Sequence, residues 1–125
     1  MRVLVAAAFA VLAAGCVVPP ESAKPVTPAA ERPAEKALLA GIRAYDDGQY
    51  AESEKHLAAA AKAGLVSPKD RATVNKYLAF IYCTSNRHAN CEAAFRAARQ
   101  ADPSFALSKS EAGHPQWGPV YKRVQ

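Results

Sequence analysis

The chain predicts an all-α domain: two helical hairpins closed by a short C-terminal capping helix. Three observations predict it. Apolar residues recur at helical spacing in four separate segments. Turn or capping residues bound each segment. No stretch alternates with strand period over a useful length.

The first helix begins at Pro33 or Ala34, because proline suits a first turn. Ala34, Leu38, Ile42 and Tyr45 follow helical spacing, with Ala37 and Gly41 on the adjoining face. Asp46-Asp47-Gly48 ends the helix with turn chemistry. The second helix covers Gln49 to Ala63, with Tyr50, Ser53, Leu57, Ala60 and Ala61 as its buried stripe. Glu52, Glu54 and Lys55 fall on the water side, and Gly64 fits a C-terminal cap. Ser67-Pro68-Lys69-Asp70 starts the third helix: a serine cap, a proline in the first turn, an acid three residues after the cap. It runs to Thr84 with Val74, Tyr77, Leu78, Ile81 and Tyr82 as a stripe that Phe80 and Cys83 widen. A face that broad predicts packing on two sides. Ser85-Asn86-Arg87 is the next turn. The fourth helix covers His88 to Ala101, places Cys91, Ala94, Phe95 and Ala98 on one face, and stops at Asp102-Pro103. Residues 34–103 form the expected helical domain. The tail, 104–125, carries Phe105, Leu107, Trp117, Tyr121 and Val124, with Pro119 starting a last helical turn. So apolar a tail is expected to cap the exposed end of the helices.

The N-terminus reads as an export signal. Arg2 precedes an apolar run, Val3 to Leu12, too short to span a bilayer. Ala13-Ala14-Gly15 then precedes Cys16, which resembles a bacterial lipobox, although Ala13 stands where Leu is usual. The resemblance implies cleavage after Gly15, lipid on Cys16 and a leader of residues 1–15. The alternative is an ordinary secretory signal cut nearby. Val17 follows Cys16 where retention at the inner membrane would use Asp, which implies the outer membrane of a Gram-negative host. Residues 16–33 are Pro-rich without an apolar face, as expected of a tether. At ~3 Å per residue it would reach roughly 50 Å.

The two hairpins are related. A shift of 38 residues places Gly48 on Asn86, Tyr50 on His88, Ser53 on Cys91, Leu57 on Phe95 and Ala60 on Ala98. Leu78-Ala79-x-x-Tyr82, Cys91-x-x-x-Phe95, Ala98 and Pro103 resemble the tetratricopeptide repeat. Gly41, Tyr45, Gly48, Tyr50, Ser53, Leu57 and Ala60 match it in the first hairpin. The alternative is a generic helical bundle. The likeness extends further: LLAGIRAYDDGQY, KYLAFIYCTSNRHANC and the ending GHPQWGPVYKRV are similar to small lipoproteins of the TssQ family. Those are associated with type VI secretion systems, and related repeat lipoproteins share the pattern. This resemblance implies an outer-membrane, periplasm-facing protein that binds other envelope proteins. A general envelope adaptor, for example one serving peptidoglycan-modifying machinery, is the alternative.

Charge and side-chain chemistry narrow the function. The chain carries a formal +5, and losing Arg2 with the leader lowers it by one. The cations are spread without aromatic interleaving, which argues against nucleic acid. No Gly-rich phosphate loop and no paired carboxylates of acid/base type occur, so neither catalysis, a cofactor nor a small-molecule substrate is expected. With Cys16 acylated, Cys83 and Cys91 are an even pair outside the cytoplasm, which predicts a disulfide across the second hairpin. Two free thiols, or a metal site of Cys83, His88 and Cys91 with His56 or His114, are the alternatives; zinc wants four ligands, and the fourth would come from afar. The repeat resemblance implies a groove lined by the first helix of each hairpin. Its positions here are Leu38, Ile42, Tyr45, Lys76 and Phe80, an apolar centre with a basic edge suited to a partner's peptide. The C-terminal tail is an equal candidate to fill it.

Overall fold

The computed structural model describes residues 32–125. The expected leader, Cys16 and the tether up to residue 31 lie outside the described residues. Six helices follow: α1 (Pro33–Asp46), α2 (Tyr50–Ala63), α3 (Pro68–Thr84), α4 (His88–Ala101), α5 (Lys109–Ala112) and α6 (Gly118–Arg123). There is no strand among the described residues. α1 packs along α2 and α3 along α4, so the fold is all-α with two hairpins. α3 also touches α1 and α2, and α6 packs on α4.

The helix ends follow the local chemistry. Pro33 opens α1, and the Ser67 hydroxyl accepts the Asp70 backbone N–H at 3.3 Å to cap α3. Two backbone bonds then recur in both turns at the same 38-residue shift. Gln49 N–H donates to the Ala44 carbonyl and Arg87 N–H to that of Tyr82. Asp47 N–H donates to Arg43, and Ser85 N–H to Ile81. Each turn needs one residue in the left-handed region: Gly48 at φ 75° and Asn86 at φ 60°. Glycine and asparagine occupy that region at least cost.

Inside each hairpin a small residue on the first helix admits a large one from the second. Gly41 faces Leu57, and a Cβ at Gly41 would lie 2.7 Å from the Leu57 Cγ. Ala79 and Phe95 are the corresponding fully buried pair. The hairpins differ in how they are locked. In the first, the buried Ser53 hydroxyl donates to the Gly41 carbonyl at 2.7 Å. In the second, Cys91, the equivalent of Ser53, is bonded to Cys83 with their α-carbons 5.2 Å apart. This disulfide closes a loop with a separation of 8 residues. Loop-closure entropy puts its contribution at about 2.5 kcal/mol. Reduction is therefore expected to lower the denaturant midpoint by that much stability without abolishing the helices, as measured by urea unfolding with and without reductant. An unchanged midpoint would refute this.

Not every stripe residue is inside. Tyr50 is 50% exposed and Ala61 is exposed, contrary to the expected α2 stripe. Among the described residues no layer packs on the far side of α2, so only Ser53, Leu57 and Ala60 of that stripe are buried. Glu54, expected on the water side, is partly buried. It accepts both Arg87 guanidinium nitrogens, at 2.8 and 2.7 Å, tying α2 to the second turn.

Helix α5 is absent from the sequence expectation. It is one turn held by a capping box. The Ser108 hydroxyl accepts the Glu111 N–H at 3.1 Å, and the Glu111 carboxylate accepts the Ser108 N–H at 2.9 Å. It prepares the tail to turn back over the hairpins. Trp117 Nε1–H donates to the Glu111 carbonyl at 2.8 Å. Tyr121 lies against Phe95 at 5.5 Å between ring centres, and its hydroxyl accepts the Leu107 N–H at 3.1 Å. Val120 and Val124 are buried in the same core.

Candidate functional site

The expected groove residues divide into two sets. Leu38 is 4% exposed and Phe80 only 3%, so both belong to the core. Ile42, Tyr45 and Lys76 stay partly exposed at the surface. Leu38 lies on the face of α1 that packs into the domain, and Phe80 lies beneath the tail. Trp117 stacks on Phe80 with ring centres 4.1 Å apart and planes 21° from parallel. The tail therefore occupies the groove at Phe80, and Phe80 and Leu38, expected to line an open groove, are both buried.

An aromatic ladder remains along the first-helix face. Tyr50, Tyr45 and Tyr77 meet edge to face, with centres 5.3 and 5.0 Å apart. Tyr77 reaches Phe80 at 6.0 Å, and beyond Trp117 the His114 ring stacks at 3.3 Å. Edge-to-face pairs hold rings at fixed angles, which makes the strip a preformed surface. The Lys76 ammonium lies 5.0 Å from the Tyr77 ring centre and bonds the Glu111 carboxylate at 2.8 Å. Next to Lys76 is a cleft of about 340 Å³ lined by Lys69, Thr73, Ser104 and Phe105. The surface thus combines half-buried tyrosines with a basic edge.

Its electrostatics follow from packing. Burial pushes the Tyr45 hydroxyl up to about 12, helped by its neighbours Tyr50, Tyr77, Asp46 and Glu111. Burial also raises Glu111, but the hydrogen bonds from Lys76 and the Ser108 backbone outweigh it, and the carboxyl sits below its usual 4.5. Arg87 holds Glu54 below 4.5 through its hydrogen bonds. A carboxyl lowered in the folded state stabilises the fold above its ordinary value, and loses that contribution as pH falls through the lowered one. Glu54→Gln and Glu111→Gln are each expected to flatten the loss of stability on acidification below pH 4.5. Denaturant midpoints across that range measure it; identical slopes for wild type and both variants would contradict the ion-pair account.

Sequence reasoning put Tyr50 and Tyr77 in buried stripes, considered His114 only as a distant metal ligand and did not single out Glu111. The Ser108-x-x-Glu111 capping signature was the available signal for Glu111. The disulfide takes both sulfur atoms, so the alternative metal set has no thiolates to offer. No group of three or more His, Cys, Asp or Glu residues suited to a metal ion occurs among the described residues. No helix among them is long and apolar enough to cross a membrane.

What the fold defines is a class: an all-α pair of equivalent hairpins, one of them disulfide-locked, with a tail packed across the second. No family, curated protein or solved structure matches the chain.

Proposed function

We propose that the protein is a non-enzymatic, membrane-anchored periplasmic module for protein–protein interaction, built on tetratricopeptide-like hairpins. In this reading it is an accessory or assembly component of a type VI secretion system. Lipid on Cys16 holds it at the outer membrane, and the Pro-rich residues after Cys16 give it reach. The observation that supports a docking role most is the half-exposed tyrosine strip beside Lys76. Rigid aromatic rings with polar tips bind a partner's peptide at little cost in conformational entropy.

The test is capture of partners from intact envelopes by the wild type and by Tyr45→Ala/Tyr77→Ala. The variant is expected to lose the partner while keeping its far-UV circular dichroism. Equal capture by both would sink the assignment of this surface. Recovery of peptidoglycan-modifying enzymes instead of secretion components would transfer the role to a general envelope adaptor. Cys16→Ser is expected to move the protein from the membrane to the soluble fraction; unchanged partition would refute lipid anchoring.

A further inference from the structure

The exposed side of α1 has a chemistry that the tyrosine strip does not use. Arg32, Lys36, Leu39 and Arg43 follow one another at intervals of four, three and four residues, so they lie along one stripe of the helix. Lys36 and Arg43 are exposed, and Leu39 between them is 50% exposed. The opposite side of α1, with Ala34, Leu38, Gly41 and Ala44, is buried against the rest of the domain.

Of the acids of the first hairpin, Glu35 alone pairs with the stripe. Asp46 and Asp47 sit at its turn, and Glu52 lies just beyond, 3.4 Å from His56. Glu54 is bound to Arg87, and Glu35 lies 3.3 Å from Arg32. Lys36 and Arg43 form no ion pair with an acid among the described residues. Lys55 and Lys62 are exposed on α2. Among the described residues, Lys36 and Arg43 are thus the stripe's cations without an acid partner, while Arg32 is matched by Glu35.

We propose that this α1 stripe docks the domain on an anionic lipid surface. Two features favour lipid over other partners. Cations flanking a protruding leucine match a surface with anionic headgroups above acyl chains. The residues before the described part join the domain at the start of α1, so lipid on Cys16 would feed into the helix carrying the stripe. Docking there leaves the tyrosine strip, on another side of α1, directed away from the lipid. The inference goes beyond the interaction-module reading and rests only on its membrane-anchor part.

The full-length chain carrying Cys16→Ser, which cannot be acylated, tests it by flotation with vesicles. The readout is the ratio of binding to phosphatidylglycerol-containing vesicles over phosphatidylcholine vesicles, which cancels any contribution of the apolar N-terminal run. Lys36→Gln/Arg43→Gln is expected to lower this ratio by about fivefold per cation removed. The same change of net charge in Lys109→Gln/Lys122→Gln, both exposed and in the tail, is expected to leave it within twofold. An unchanged ratio for the α1 variant would overturn the proposal. So would equal losses in both variants, which would reduce the effect to overall charge. Loss of binding to purified peptidoglycan by the α1 variant, with its vesicle ratio intact, would assign the stripe to a polymer and overturn the lipid.

Discussion

Phe80→Asp is expected to unfold the domain. Phe80 contacts four rings: Trp117 at 4.1 Å, Tyr77 at 6.0 Å, and Phe95 and Tyr45 at 6.2 Å. It therefore joins α1, α3, α4 and the tail in one cluster. Truncating a buried phenylalanine alone costs about 3–5 kcal/mol. An unpaired carboxylate in its place adds a desolvation cost of several kcal/mol more. A domain of this size has about 5–15 kcal/mol in total. The expected observation is loss of the helical circular dichroism signal and of a cooperative thermal transition, while Phe80→Leu retains both. A folded Phe80→Asp protein that has lost only its partner would restore Phe80 to the contact surface.

Trp117→Ala is expected to cost about 3–5 kcal/mol. Three contacts go at once: the stack on Phe80, the stack with His114, and the hydrogen bond to the Glu111 carbonyl. The hydrogen bond can be separated from the rest. Trp117→Phe keeps a ring over Phe80 and gives up the donor, for a loss of about 1 kcal/mol. Urea midpoints followed by circular dichroism distinguish the two. If Trp117→Ala unfolds at the wild-type midpoint, the tail is an appendage and the groove at Phe80 is open in solution.

These two residues also mark what the sequence made legible. The four long helices were readable because their ends carry local chemistry: Pro33, Ser67-Pro68, Gly64 and Asp102-Pro103 act within a turn of where they stand. The pairing of Cys83 with Cys91 was readable because eight residues around a tight turn leave little geometric freedom. Leu57 and Phe95 were readable as equivalents because both fill the space beside a small residue.

Exposure was harder to read. A helical wheel gives the direction of a stripe but not whether another layer lies beyond it. Tyr50 and Ala61 follow the α2 stripe yet stay exposed, Tyr50 meeting the Tyr45 ring at its edge, because no described element packs beyond the first hairpin. The occupant of the groove depended on Trp117 reaching Phe80 across 37 positions of chain, a contact that no local pattern encodes. The one-turn helix α5 has no apolar period at all. Its capping box was the sole sign, and the fold uses it to aim the tail.

The unequal locks of the two hairpins have a mechanical consequence. A load entering at the start of α1 meets only non-covalent resistance: the Gly41–Leu57 contact, one serine hydrogen bond and the Tyr45 ring contacts. Separating α3 from α4 at their turn would require breaking a covalent bond. Tension from the N-terminal side therefore peels α1 and α2 first, lengthens the connection and leaves the second hairpin with its tail intact. The fold is graded like a shock absorber: its compliant half faces the incoming chain, and the turn of its other half, residues 83–91, cannot be drawn out while the disulfide holds.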